Sequence, residues 1–228
     1  MHINADFTKP ARVDAAAMPW LASPMQGVER RMLDRVGDEV ARATSLVRYA
    51  PGSYFSPHHH DGGEEFLVLD GVFSDEHGDY GPGYYVRNPQ GSSHKPFSKD
   101  GCVIFVKLWQ MDAADQNFVR IDTAKADFGA ADRDGVRRLA LHAFGGVETA
   151  IEIWPAGTES ARVWPGGAEI LVLEGGLQAD ADRPLSALGW LRYPAGAAAT
   201  LRCSDGARLF VKTGHLAKAQ AAPGGSAA

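Results

Sequence analysis

Residues 52–71, GSYFSPHHHDGGEEFLVLDG, place three consecutive histidines a few residues ahead of two glutamates. Strand residues alternate faces, so His58 and His60 share one face while His59 points the other way. Asp61, Gly62 and Gly63 supply a tight loop, and FLVLD continues as a hydrophobic second strand of a β-hairpin. A three-residue loop sets Glu64 across from His60 on the same face; a two-residue loop sets Glu65 there. With either, two imidazoles and a carboxylate converge, the donors of a mononuclear metal site.

A fourth donor follows in GYYVRNPQGSSH, residues 83–94, where Pro89 and Gly91 force a turn before His94. The spacings run Gly-x5-His-x-His-x3-Glu-x6-Gly and then Gly-x5-Pro-x-Gly-x2-His. They resemble both halves of the cupin signature. That resemblance selects Glu64 over Glu65 and makes His58, His60, Glu64 and His94 the expected ligands. The family's last motif position, usually Asn and not a ligand, is Ser98 here. A histidine run can be a solvated accident, but glycine and proline spacings that match on both motifs weigh against it.

Composition sets the limits. Hydrophobic content of 45% against 22% charged is that of a globular chain with a real core, and 26 Gly with 13 Pro suits an all-β, turn-rich fold. A net charge of −5 without long basic runs argues against nucleic acid as a partner. The start lacks a basic and apolar leader pattern, and no apolar stretch is long enough to span a membrane. Cys102 and Cys203 make no disulfide framework, and the expectation is a reduced, cytoplasmic protein.

Outside the hairpin, Trp20 reads as a packing anchor. His77, among Asp75, Glu76 and Asp79, has the look of a second metal site, although a solvated loop accounts for it better. GCVIFVKLWQM is a fully buried strand, after which residues 112–134 lose the strand pattern and read as an interdomain connection packed through Phe118, Val119, Ile121 and Phe128. The chain then repeats at an offset of 105 that places Glu169 on Glu64, Gly176 on Gly71, Pro194 on Pro89 and Lys212 on Lys107. The same offset sets Val163, Pro165 and Ala199 where the first half has histidines, so the second half reads as a barrel without a metal site. The expected organisation is a metal-bearing domain over 1–111, a connection over 112–134, a second barrel over 135–216 and a disordered tail over 217–228. The fold class is all-β, a tandem of double-stranded β-helix barrels; the resemblance adds the form, a bicupin.

WLASP, GVERRMLDR, RATSLVRYAPGS and HHHDGGEEFLVLDGVFSDEHGDY resemble the cupin domain of ChrR, a zinc-dependent anti-sigma factor. In ChrR a helical domain with its own His/Cys zinc site grips the sigma factor. No His-x3-Cys-x2-Cys pattern occurs here, so a sigma factor is not the expected partner. Three imidazoles and one carboxylate suit one divalent transition metal, Fe, Mn, Ni or Zn among them. Relatives of this type include dioxygenases that cleave hydroxyketones and β-diketones, which implies a small-molecule substrate; the alternative is a ChrR-like sensor that binds an effector and acts through a separate protein. Phe55, Phe66, Tyr85, Phe97 and Trp109 are candidate cavity walls, and Arg48 and Arg87 candidate donors to an anionic substrate. A homodimer is compatible with either reading.

Overall fold

The computed structural model describes residues 1–38 and 40–217, so most of the tail expected to be disordered lies outside the described residues. The described chain is β-structure, with one short 3-10 turn at Ala15–Ala17. It forms two compact units, one of Met1–Ala5 with Pro19–Lys125 and one of Asp6–Met18 with residues 126–217.

In the first unit one large antiparallel sheet runs Val28–Gly37, Ala41–Tyr49, Cys102–Leu108, Glu64–Gly71, Tyr84–Asn88, Val119–Asp122. Short strands at Ser53–Tyr54, Phe73–Asp75, Gly78–Tyr80 and Phe97–Ser98 form a second sheet. Val47, Phe66, Val68, Phe73, Val86 and Ile104 form the core. In Glu64–Gly71 the alternation puts Glu64 on the same face as core residues Phe66 and Val68. Glu65 lies on the other face, where Tyr85 Oη donates to its Oε2 at 2.8 Å. Both faces of this strand are buried, which is why it reads as a continuous apolar run.

The second unit has the same order: Arg137–Phe144, Val147–Trp154, Ala207–Thr213, Ala168–Ala179, Gly189–Tyr193, closed at the edge by Ala11–Asp14. Its core includes Trp154, Ile170, Val172, Leu191, Leu201 and Leu209. The hydrogen-bond registers correct the gapless offset. Lys107 pairs with Glu65, and Lys212 with Glu169, so Glu169 answers to Glu65, not to Glu64. Gly71 lies opposite Cys102, and Gly175 opposite Ala207, so Gly175 answers to Gly71. Left-handed Gly52 and Gly63 match Gly157 and Gly167, and the first span is one residue longer. The extra residue falls at Ser56–Pro57. Strand Thr158–Trp164 pairs without interruption, whereas the register changes by one between Tyr54↔Phe97 and His58↔His94. Arg162, Trp164 and Ala168 therefore stand at the places of His58, His60 and Glu64, and Ala199 keeps the place of His94.

The segment 112–134 also departs from its expected lack of strands. Val119–Asp122 is the edge strand of the first sheet, with Val86 opposite Arg120, while Phe118 is exposed. Alternation there is of half-buried residues, which gives little hydrophobic contrast to read.

Candidate metal centre

The centre forms where His58–His59 and Ser93–His94 pair, with His94 opposite His58. The His60 amide donates to the Ser92 carbonyl at 2.8 Å, which carries the third imidazole to the same place. Ring centroids lie 4.9 Å apart for His58–His60, 5.0 Å for His58–His94 and 4.6 Å for His60–His94. One ring nitrogen of each lies within 4.8 Å of the other two. Glu64 Oε2 sits 3.4 Å from His60 Nε2 and 3.6 Å from His94 Nε2. Glu65, on the opposite face, does not approach them.

Second contacts fix which nitrogens are free. His58 Nδ1 is 3.0 Å from the Ser56 carbonyl and His94 Nδ1 is 3.2 Å from Asp75 Oδ2. Both oxygens only accept, so each Nδ1 carries the proton and each Nε2 keeps its lone pair. The Nε2 atoms of His60 and His94 are buried and have no hydrogen-bond partner. Buried polar atoms are seldom left so, and a bound metal ion would satisfy both. A buried histidine triad of this kind can hold a metal ion.

The electrostatics separate the two buried rings. Burial pushes the His60 pKa down, against the opposing pull of the Glu64 charge. Burial acts on His94 in the same sense, but the Asp75 hydrogen bond and the Glu64 charge outweigh it and raise the net value. Burial pushes the Asp75 carboxyl up, yet hydrogen bonds from His94, the His77 amide and Tyr80 hold it below the usual range.

Sequence reading misses the support behind these side chains. Asn88 Nδ2 donates to Glu64 Oε2 at 3.1 Å, and Arg120 Nη2 donates to Asn88 Oδ1 at 2.8 Å. Arg120 Nε reaches Tyr80 Oη at 3.3 Å, and Tyr80 Oη donates to Asp75 Oδ1 at 3.1 Å. The path Glu64–Asn88–Arg120–Tyr80–Asp75–His94 thus links the carboxylate to one imidazole. Glu76, His77 and Asp79 are exposed, as a solvated loop implies, whereas Asp75 is buried and serves the His94 ring. The partner of Asp75 lies 19 residues away in sequence, beyond any local signal.

The three histidines and Glu64 open on a cavity of about 480 Å³. Of the expected wall residues, Phe55 and Trp109 line it, together with Tyr49, Ile104 and Val106. Phe66 lies in the core, Tyr85 bonds Glu65 and Phe97 stacks on Tyr54. Trp109 has a left-handed backbone (φ 59), and Gly62 lacks the Cβ that would collide with its ring. Arg48 and Arg87 are not donors to this cavity. Arg48 pairs with Glu29 and lies over Trp20, and Arg87 forms a buried ion pair with Asp115 at 2.6 Å. Arg30 and Arg35 line it instead. Trp20, under Arg31 and Arg48, is the packing anchor its sequence suggests. Cys102 and Cys203 are both free and buried, and burial pushes the Cys102 thiol up to about 11.

Residues 8–112 match the family model described as the ChrR cupin-like domain. Among solved structures, a candidate dioxygenase from Nostoc punctiforme is 15% identical, with a TM-score of 0.72 over 96% of this chain and 84% of that one. Oxalate decarboxylase from Bacillus subtilis is 10% identical, with a TM-score of 0.63 over 90% of this chain and 77% of its own. A bacterial pirin from Escherichia coli, solved in complex with nickel(II), is 11% identical, with a TM-score of 0.65 over 90% and 98%. At such identities the likeness is one of fold. No curated protein matches the chain. Among the described residues no helix is long and apolar enough to cross a membrane.

Proposed function

A ChrR-like cupin domain spans residues 8–112 of a chain with the cupin fold, and from that premise we propose a mononuclear metal-dependent dioxygenase acting on a small hydroxyketone or diketone-like substrate. His58, His60, Glu64 and His94 would hold one divalent transition metal, Fe, Mn, Ni or Zn. When bound, such a metal supplies a Lewis acid and, where it is redox-active, a route for electrons to dioxygen. The observation that carries the reading is the pair of buried, unpartnered Nε2 atoms opening on an apolar-walled cavity.

The chain's own residues supply the rest. Asp75 and the Ser56 carbonyl hold two imidazoles in the tautomer that presents Nε2. Tyr49, Phe55, Ile104, Val106 and Trp109 exclude water, which oxygen chemistry requires. Arg30 gives the cavity a cation to meet an ionised substrate oxygen. Cavities of a few hundred Å³ suit small organic ligands.

The test is metal analysis of protein purified without chelators, then oxygen-electrode traces of the Fe(II)-loaded protein across a panel of 1,2- and 1,3-dioxygenated ketones. Uptake with one member, abolished in Glu64→Ala and His94→Ala, is the expected result. The match to a ChrR cupin-like domain favours a second reading, a metal-centred sensor acting through a separate protein. Protein that retains only zinc and consumes no oxygen with any member would favour that reading instead.

A further inference from the structure

The second unit has a cavity of its own, of about 440 Å³, lined by Arg138, Glu148, Glu152, Trp154, Arg162 and Trp164 among others. Arg162 and Trp164 are the register equivalents of His58 and His60, so this cavity opens where the first unit has its histidines. Its charged groups are unequally satisfied. Arg138 Nη2 donates to Glu148 Oε2 at 2.7 Å, and Trp154 Nε1 donates to Glu152 Oε2 at 2.9 Å. Among the described residues the Arg162 side chain makes no hydrogen bond: Nη2 forms an ion pair with Glu152 Oε2 at 3.7 Å, and Nε and Nη2 are buried without a hydrogen-bond partner. Its guanidinium lies over the Trp154 ring, 5.2 Å from the centroid. Glu152 is also 3.9 Å from Arg138, so one carboxylate, already engaged by a tryptophan, is shared between two cations.

A half-buried guanidinium held against an aromatic face, its one carboxylate shared and beyond hydrogen-bond distance, leaves Nε and Nη2 without a hydrogen-bond acceptor. Apolar side chains, Ile170, Leu201, Leu209 and Val211, share the lining with these charged groups. We propose that the second unit binds a small organic carboxylate, its charged end on Arg162 and its apolar body toward Leu201 and Leu209. A monoanion suits the site better than a dianionic phosphate, because Glu148 and Glu152 line the same cavity and would repel the second charge. The second unit then carries a ligand site of its own, independent of any metal in the first.

The experiment is titration calorimetry of the full chain with acetate, benzoate and inorganic phosphate, on chelator-stripped protein and again on zinc-loaded protein. The expected result is one benzoate per chain, bound more tightly than acetate and equally in both preparations. Arg162→Met should weaken binding by about tenfold or more while its melting temperature stays near that of the wild type. Arg162→Lys, which keeps the charge but not the fork, should lose less, and it carries the comparison if the methionine variant does not fold. No carboxylate binding, binding unchanged in the Arg162 variants, binding that needs the metal, or a preference for phosphate would each overturn the proposal.

Discussion

The cavities of the two units share a strand order and differ in what the strands present. In the first, His58, His60 and His94 bring ring nitrogens to one point beside Glu64; in the second the equivalent places hold Arg162, Trp164, Ala199 and Ala168. Thr44, Glu65, Arg87 and Lys107 recur on the other face as Thr149, Glu169, Arg192 and Lys212, all buried. The buried polar row has been kept and the row of histidines and Glu64 exchanged. A fold of this kind separates scaffold from chemistry by strand parity: one face of the central sheet repeats, and the other is free to specialise.

The largest test of that comparison is to transplant the ligand row. Arg162→His, Trp164→His, Ala168→Glu and Ala199→His follow the observed registers and should raise the metal content from one to two per chain, read by elemental analysis. The quadruple variant built on the gapless offset, with histidines at 163, 165 and 199 and native Glu169, should stay at one. Val163 is exposed, and Glu169 faces the opposite side, where Trp190 Nε1 donates to it at 2.8 Å. A second metal in the latter variant alone would break the register assignment.

Neighbouring glutamates sharpen the contrast between the faces. Glu64→Ala leaves the three histidines without their carboxylate and should weaken metal binding strongly, while the metal-free protein loses the acceptor of one Asn88 hydrogen bond. Glu65→Ala leaves the buried Tyr85 Oη without its acceptor and should cost about 1–3 kcal/mol in stability. Denaturation curves and metal titration on the two variants should therefore report opposite losses. Loss of metal without loss of stability in Glu65→Ala would invert the assignment of the two carboxylates.

Much of this is legible in the sequence, and the remainder fails for definite reasons. Histidines two apart on a strand, followed by a glycine turn, must share a face, so the convergence of His58 with His60 follows from parity, and the Pro89–Gly91 turn brings His94 to them. The one-residue slip at Ser56–Pro57 is hidden because a compensating residue follows between Gly175 and Leu188, after which Pro194 again matches Pro89. Asp75, Asn88, Tyr80 and Arg120 are invisible as a set, since they come from four separate segments and only the folded sheets join them. Arg87 is misread because burial and a partner at Asp115 cannot be seen in a strand where arginines are commonly exposed.

That hidden path supplies the next prediction. Asp75→Asn keeps the shape but removes the charge that orients the His94 ring, and should weaken metal binding by about 10–100-fold, measured by competition with a chelating dye. The second unit has an alanine at the place of His94 and nothing to orient there, so its benzoate affinity should not move. Metal affinity equal to wild type would show that packing alone holds the ring.

The smallest expected effect is a difference in pH response between the two cavities. His60, depressed first by burial, takes up a proton less readily when folded than when unfolded. In the metal-free protein its contribution to stability is therefore present above the ordinary histidine value of 6.5 and is lost as pH falls below it, through the lower folded value. His94 behaves oppositely: its net value is raised, with the Asp75 hydrogen bond and the Glu64 charge outweighing burial. It stabilises below 6.5, and that contribution is lost as pH rises through its folded value. Metal binding needs both rings neutral, so affinity should decline as pH falls, beginning above 6.5 where His94 gains its proton and continuing as His60 follows. Each displaced proton contributes about tenfold per pH unit. No histidine is among the described residues lining the second cavity, so benzoate binding should stay flat over the same range. Calorimetric titrations of both ligands from about pH 5.5 to 8 separate the cases: parallel slopes would mean that the two cavities are not chemically independent, and a flat metal profile would mean that the histidines are not its ligands.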